Sequence, residues 1–280
     1  MKVAILICGP YRYLEKVIER LESLAPSSLD FGIFCFCWKQ DSGERKRNAG
    51  FDFDAIAHLR QQERVYSVIE AEPIGADQFE EYGAYTGCHS PHQNIYGMFY
   101  SISEILDVVP LEFTHALRLR TDCLLIDSTF FDSFLSAGNR TLVSNNPGLP
   151  VGWVSDHLMY SSVRIMKEVW FAGGVREFMA DYDAAGRNPE RMLAQRVKDV
   201  GVVVVKKWKR YADYQIVYDK STSDDPVVLN EFCEGVDLFA VEFSDRQKMM
   251  LLDHFDVVAA RYSDSFLARL VRFVRRVVGC

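Results

Sequence analysis

The chain has no CxxC pair, no long apolar run, no excess of positive charge and no internal repeat, and each absence removes a class of function. Its seven cysteines, at 8, 35, 37, 88, 123, 233 and 280, are odd in number and lack metal-ligand spacing. That argues against a disulfide framework or a zinc site and for reduced thiols in a cytosolic protein. No stretch reaches the roughly 18 uninterrupted apolar residues that a membrane span requires. The opening KVAILIC is broken by Gly9-Pro10 before it attains the length of a signal peptide's apolar core. With 32 Lys and Arg against 39 Asp and Glu, the net charge is -7. A broad nucleic-acid surface needs the opposite balance, so no nucleic-acid partner is expected.

What is present is ample apolar material, 49% of 280 residues, enough to bury a sizeable core. VAILIC (3–8) reads as a strand ended by Gly-Pro. YLEKVIERLESL follows with Leu14, Val17, Ile18 and Leu21 on one helical face, and FGIFCFCW (31–38) is a second strand. Cys35 and Cys37 flank Phe36 there and project to one face as small apolar filler. Strands apolar on both faces belong to parallel sheets covered by helices. The expectation is an α/β fold with a mostly parallel, Rossmann-like central sheet and helices on both faces.

Further along, residues 39–53 are polar, either a solvated excursion or a substrate lid. HSPHQNIYGMFYSISEILDVV has helical spacing, with Ser90 or His89 placed to start the helix and Pro91 in its first turn. The run 114–126 reads as the next strand, TLVS (141–144) as another, and VVVV (202–205) as the last. Helices are expected around DHLMYSSVRIMKEVW (156–170) and at PERMLAQRVKDV (189–200). At the end, Phe266, Leu267, Leu270, Phe273 and Val274 gather on one side of a helix, and Arg269, Arg272, Arg275 and Arg276 on the other. The chain thus divides into a domain over 1–255 and a basic amphipathic helix over 256–280. That helix suits either an anionic membrane surface or its own domain's flank.

One stretch stands out. In HALRLRTDCLLIDS, a strand reading puts Arg118, Arg120 and Asp122 on one face and Leu117 and Leu119 on the other. Burying two guanidiniums and a carboxylate without partners costs several kcal/mol, so this face must meet counter-charges or open into a cleft. A structural pair explains one arginine and leaves the second over. Two arginines beside a carboxylate at the end of a central strand suit a phosphate or diphosphate, with the carboxylate left for a divalent cation or a ribose hydroxyl.

The motifs Gly9-Pro10-Tyr11-Arg12, Trp38, Gln93-Asn94-Ile95-Tyr96-Gly97-Met98-Phe99-Tyr100-Ser101-Ile102, Arg118-Leu119-Arg120-Thr121-Asp122 and Asp156-His157 occur in an order that resembles GT-A-type glycosyltransferases of the WavE-like group, associated with lipopolysaccharide and other surface-glycan synthesis. The resemblance spans about residues 2–220. The Asp-x-Asp of GT-A enzymes appears here as Arg120-Thr121-Asp122, leaving one carboxylate for a metal and Arg120 as a substitute positive charge.

The resemblance implies a GT-A-like domain that transfers a sugar from a nucleotide-sugar donor to a hydroxyl of a surface-glycan or lipid-linked glycan. The protein would be cytoplasmic, or peripheral on the inner face of the membrane. Donor-binding candidates are Gly9, Tyr11, Arg12, Gln93, Asn94, Arg118, Arg120 and Asp122, the last also the candidate ligand for Mn or Mg. Candidates for the catalytic base are Asp156 and then Glu190, and for acceptor contacts Trp153 and His157. Simpler roles stay open for several of these: Asp156 and Ser155 suit a helix cap, Glu190 an ordinary first turn, and Gln93 and Asn94 capping. Two other functions compete: a nucleotide- or glycan-binding subunit without catalysis, and a sugar-phosphate nucleotidyltransferase. The second ordinarily needs a glycine-rich basic loop after the first strand, and Gly9-Pro10-Tyr11-Arg12 is short for that.

Overall fold

The computed structural model describes residues 1–11, 14–39, 53–83, 91–126, 128–135, 138, 140–146, 152–209 and 213–216. Strand β1 (Lys2–Pro10) leads through α1 (Leu14–Leu24) to β2 (Asp30–Trp38), and α2 (Phe53–Leu59) precedes β3 (Val65–Ala71). A 3-10 turn (Ala76–Tyr82) and α3 (His92–Asp107) lead to β4 (His115–Arg120) and β5 (Cys123–Leu125). After α4 (Asp132–Leu135) come β6 (Thr141–Asn146), β7 (Met159–Ser162) and α5 (Val163–Trp170). The described chain ends with α6 (Val175–Ala184), α7 (Pro189–Val200), β8 (Val203–Lys209) and β9 (Tyr214–Ile216).

Seven strands form the main sheet in the order β3-β2-β1-β4-β7-β6-β8. β1 pairs in parallel with β2 and β4, and β6 with β8, while β7 is antiparallel to both its neighbours. The mostly parallel sheet expected from the unbroken apolar runs is therefore present, with one strand reversed. Alternation along β1 divides the core. Val3, Ile5 and Ile7 enter one layer with Leu14, Val17, Ile18 and Leu21 of α1. Ala4, Leu6 and Cys8 enter the other, with Phe99, Ile102, Ile105 and Leu106 of α3. A strand period of two and a helix period near 3.6 thus meet on both faces of one sheet. Cys35 and Cys37 share the first layer, as the spacing predicts.

Two expected elements are corrected. The run 114–126 is two strands, because the chain turns at Thr121–Asp122 and β5 pairs antiparallel with β9 in a separate small sheet. The turn lets Cys123, Leu124 and Leu125 join the α1 layer, where Arg20 of α1 donates to the carbonyls of Leu125 and Ile126. The helix expected over 156–170 begins only at Val163. Met159 and Tyr160 enter opposite layers in strand alternation, and the Ser162 hydroxyl caps α5 by accepting from the Ile165 amide. The helix over Pro189–Val200 is as expected, with Asn188 accepting from Arg191 N at its start and Gly201 at φ 70° ending it.

The register of β6 with β8 shifts between Ser144 and Asn145, so Lys206 pairs with Ser144 and Trp208 with Asn145. Trp208 falls in the α1 layer, stacked on Phe130 at 4.5 Å between ring centres. Among the described residues no helix is long and apolar enough to cross a membrane. The amphipathic helix over 256–280 and most of the loop over 39–53 lie outside the described residues.

Replacing Trp208 by Ala removes a fully buried ring pair and is expected to lower stability by about 3–5 kcal/mol, read as a reduced urea midpoint at unchanged m-value.

Candidate functional site

From β1 the chain steps outward to β2 and β3, then returns to the other side of β1 as β4. Open α/β sheets take ligands at the carboxyl ends of the strands where the order reverses in this way. Here that place is the end of β1, Gly9–Tyr11, facing the end of β4, Arg120–Asp122. The Thr121 hydroxyl donates to the Pro10 carbonyl at 2.6 Å and latches the two ends together. Gly9 makes the approach feasible. Its φ is 147°, and a Cβ there would lie 3.1 Å from Thr121 Oγ1. Because β7 is reversed, its start, Asp156-His157-Leu158, stands at the same edge, with Met159 paired to Arg118.

Five of the singled-out residues therefore converge: Arg118, Arg120, Asp122, Asp156 and His157. Arg118 is the deepest, only 2% exposed, on the side of β4 that faces Trp170, whose ring centre is 5.5 Å from the guanidinium carbon. Its Nη1 donates to the His157 carbonyl, and among the described residues its Nε has no partner. Burial draws the Arg118 pKa down to about 10, with Asp156 opposing and Arg120 adding to the fall. It stays cationic at neutral pH. Arg120 closes on Asp122 as a two-point pair, Nε to Oδ1 at 2.7 Å and Nη2 to Oδ2 at 2.9 Å. Its side chain is 23% exposed, while that of Asp122 is 1% exposed. The sequence expectation of an open seat between two arginines and a free carboxylate is thus altered: one arginine is buried and the other is engaged.

Asp156 lies in a bend ahead of β7, not at a helix start, so the capping reading does not apply to it. Burial pushes its carboxyl pKa up, but His157, Arg118 and Arg120 together outweigh this and hold it below the usual carboxylate range. His157 Nε2 is 3.8 Å from Asp156 Oδ1.

The other singled-out residues are spread around this edge. Tyr11 and Trp38 are buried, Tyr11 in the α1 layer and Trp38 against Phe36 and Tyr100. Gln93, half-buried, and Asn94, exposed, occupy the first turn of α3. Glu190 sits in the first turn of α7, and its carbonyl accepts from the Val154 amide at 3.2 Å, next to half-buried Trp153. Arg12 lies outside the described residues.

Sequence reasoning missed the polar groups that brace the site. Asn145 Nδ2 donates to the Tyr214 hydroxyl, and its Oδ1 accepts from the Leu158 amide at 3.1 Å. Ser155 Oγ accepts from the His157 amide at 3.2 Å. The signal available was a pair of asparagines closing the apolar run TLVS, read as turn residues.

A divalent cation needs several oxygen ligands with open lone pairs. Both oxygens of Asp122 accept from Arg120, and Asp156 is held by Arg118, Arg120 and His157. Among the described residues no group of three or more His, Cys, Asp or Glu is placed to share an ion. The side chains as arranged do not fit a cation, and the fixed positive charge at this edge comes from the arginines.

Comparison with protein-family models and with curated protein sequences finds no match. Among solved structures, the chain is similar to the galactosyltransferase LgtC in complex with donor and acceptor sugar analogues, at 11% identity and a TM-score of 0.44, over 90% of this chain and 100% of that one. Mouse xyloside xylosyltransferase 1 is similar at 9% identity and 0.41, over 74% and 85% of the two chains. The glycosyltransferase GlyE of Streptococcus pneumoniae is similar at 14% and 0.42, over 74% and 45%. At these identities and scores the likeness carries neither activity nor site residues across.

Asp156 supplies a testable electrostatic contribution. Because its folded-state pKa is depressed, that contribution is fully present above the ordinary carboxylate range and is lost as pH falls through the lower folded value. Asp156→Asn is expected to lower stability at neutral pH by on the order of 3 kcal/mol, since it leaves Arg118 without its anion. The gap to the parent should narrow below about pH 4; urea unfolding at a series of pH values reads both.

Proposed function

We propose that the chain is a glycosyltransferase, moving a sugar from a nucleotide-sugar donor to a hydroxyl of a growing surface glycan at the edge between β1 and β4. The observation that carries this reading is the gathering of two arginines, two aspartates and a histidine at the reversal point of the sheet. Charge is rarely buried at such a place without something to hold.

In this reaction the bond from the anomeric carbon to the phosphate oxygen breaks, and the leaving nucleoside diphosphate gains negative charge. Fixed cations aimed at that oxygen lower the barrier. Arg120 is the outer, partly exposed guanidinium, and Asp122 fixes its orientation through a two-point pair. Arg118, beneath, adds positive potential without reaching solvent. The acceptor hydroxyl must lose its proton as the new bond forms. Asp156, kept deprotonated by its cationic neighbours, is the first candidate to receive it. Glu190, in the turn pinned to Val154, is the second.

A catalytically silent nucleotide- or glycan-binding subunit is favoured by one observation, the closure of Arg120 on Asp122. Incubating the pure protein with a panel of nucleotide sugars and following donor cleavage by NMR separates the two. A transferase slowly hydrolyses its donor, and Arg120→Ala is expected to lower that turnover about a hundredfold or more with an unchanged circular dichroism spectrum. Silence with every donor selects the binding subunit, and full turnover in Arg120→Ala removes the assigned role of the arginine.

A further inference from the structure

Beside the charged edge, an open groove of about 390 Å³ runs between the segment leading to β7, one face of α7 and strand β8. Its volume lies in the range of small-molecule sites. Trp153 stands on its wall, Ala194, Val197 and Val204 supply apolar lining, and Lys198 and Lys206 also line it. Ala194, Val197 and Lys198 come from one helix face, at spacings of three and four. Val204 and Lys206 come from one strand face ahead of the register shift that sends Trp208 to the other side.

The two lysines are the informative part. Lys2, Lys39 and Lys167 each face a glutamate or aspartate within 4 Å. Among the described residues neither Lys198 nor Lys206 has an ion-pair partner, although the chain as a whole carries a net charge of -7. An aromatic wall, an apolar lining and two unanswered ammonium groups match a ligand with a flat apolar face and an acidic substituent. Sugar rings bearing a carboxylate or phosphate have both. A groove of this volume does not offer the several hundred Å² that a folded protein partner covers.

We propose that this groove binds an acidic sugar unit of the acceptor, its ring against Trp153 and its anionic group between Lys198 and Lys206. The proposal rests on the glycosyltransferase reading and deepens it, because Val154 lines the groove and the chain reaches Asp156 two residues on. An acceptor anchored there is led toward the charged edge.

The test is a set of titrations of the full chain with tetragalacturonate, with its carboxyl-reduced neutral form, and with maltotetraose carrying a 6-phosphate. The acidic sugars are expected to bind about tenfold more tightly than the neutral one, and the Lys198→Ala/Lys206→Ala double variant should lose that difference. Trp153→Ala should weaken acidic and neutral sugars alike. Comparing the carboxylate and phosphate sugars tells which anion the groove prefers. Equal affinity for acidic and neutral sugars, or an unchanged double variant, overturns the proposal. So does lysine-dependent capture by phosphatidylglycerol vesicles without sugar binding, which would make the groove a lipid site. Donor cleavage with the nucleotide-sugar panel is followed by NMR on the same samples. Acidic-sugar binding without cleavage of any donor upholds the groove and sinks the transferase reading; donor cleavage with no preference for acidic sugars does the reverse.

Discussion

The burial of the Arg118 guanidinium constrains everything around it. A cation with 2% exposure in the core of a sheet must be answered by nearby negative charge and by oriented carbonyls. The His157 carbonyl and the Asp156 carboxylate supply both from the segment before β7. That segment is held in turn by Ser155, by Asn145 on the neighbouring strand, and through Asn145 by Tyr214 of the small sheet. One strand residue therefore sets the course of a loop far from it in sequence. The depressed carboxyl of Asp156 is the electrostatic reflection of the same arrangement.

Much of this was legible beforehand, for physical reasons. The apolar runs 3–8 and 31–38 could only be strands covered on both faces, and the spacing of Leu14, Val17, Ile18 and Leu21 could only be one helical stripe. Arg118, Arg120 and Asp122 were identifiable because charges inside an apolar run demand explanation. What stayed hidden was their engagement. A strand reading treats Arg120 and Asp122 as neighbours on one face, whereas the turn at Thr121–Asp122 folds the carboxylate onto the guanidinium. The latch between Thr121 and Pro10 that fixes this turn joins segments more than a hundred residues apart, and no local pattern contains it. Strand β7 was lost for a related reason: four residues directly before a helix cannot establish a period, and Met159–Ser162 becomes a strand by pairing with β4 and β6.

The edge as built joins two kinds of positive charge. Arg118 is dry and immobile, a source of potential. Arg120 is partly exposed and oriented by a carboxylate. The two arginines are thus answered differently: the buried one by the segment before β7, the outer one by the carboxylate two residues along its own strand end. The groove beside α7 adds two lysines, Lys198 exposed and Lys206 half-buried, neither with an ion-pair partner among the described residues.

The single reversed strand has a consequence for how such a protein can diversify. Since β7 begins where the parallel strands finish, the connection from β6 to β7 both leaves and rejoins the sheet at the carboxyl edge that carries Arg120 and Asp156. Extra residues inserted there would enlarge the rim without moving any strand out of register, and the entropy of a longer loop grows only slowly with its length. That stretch of chain can thus change in length and composition while the framework beneath it stays as it is.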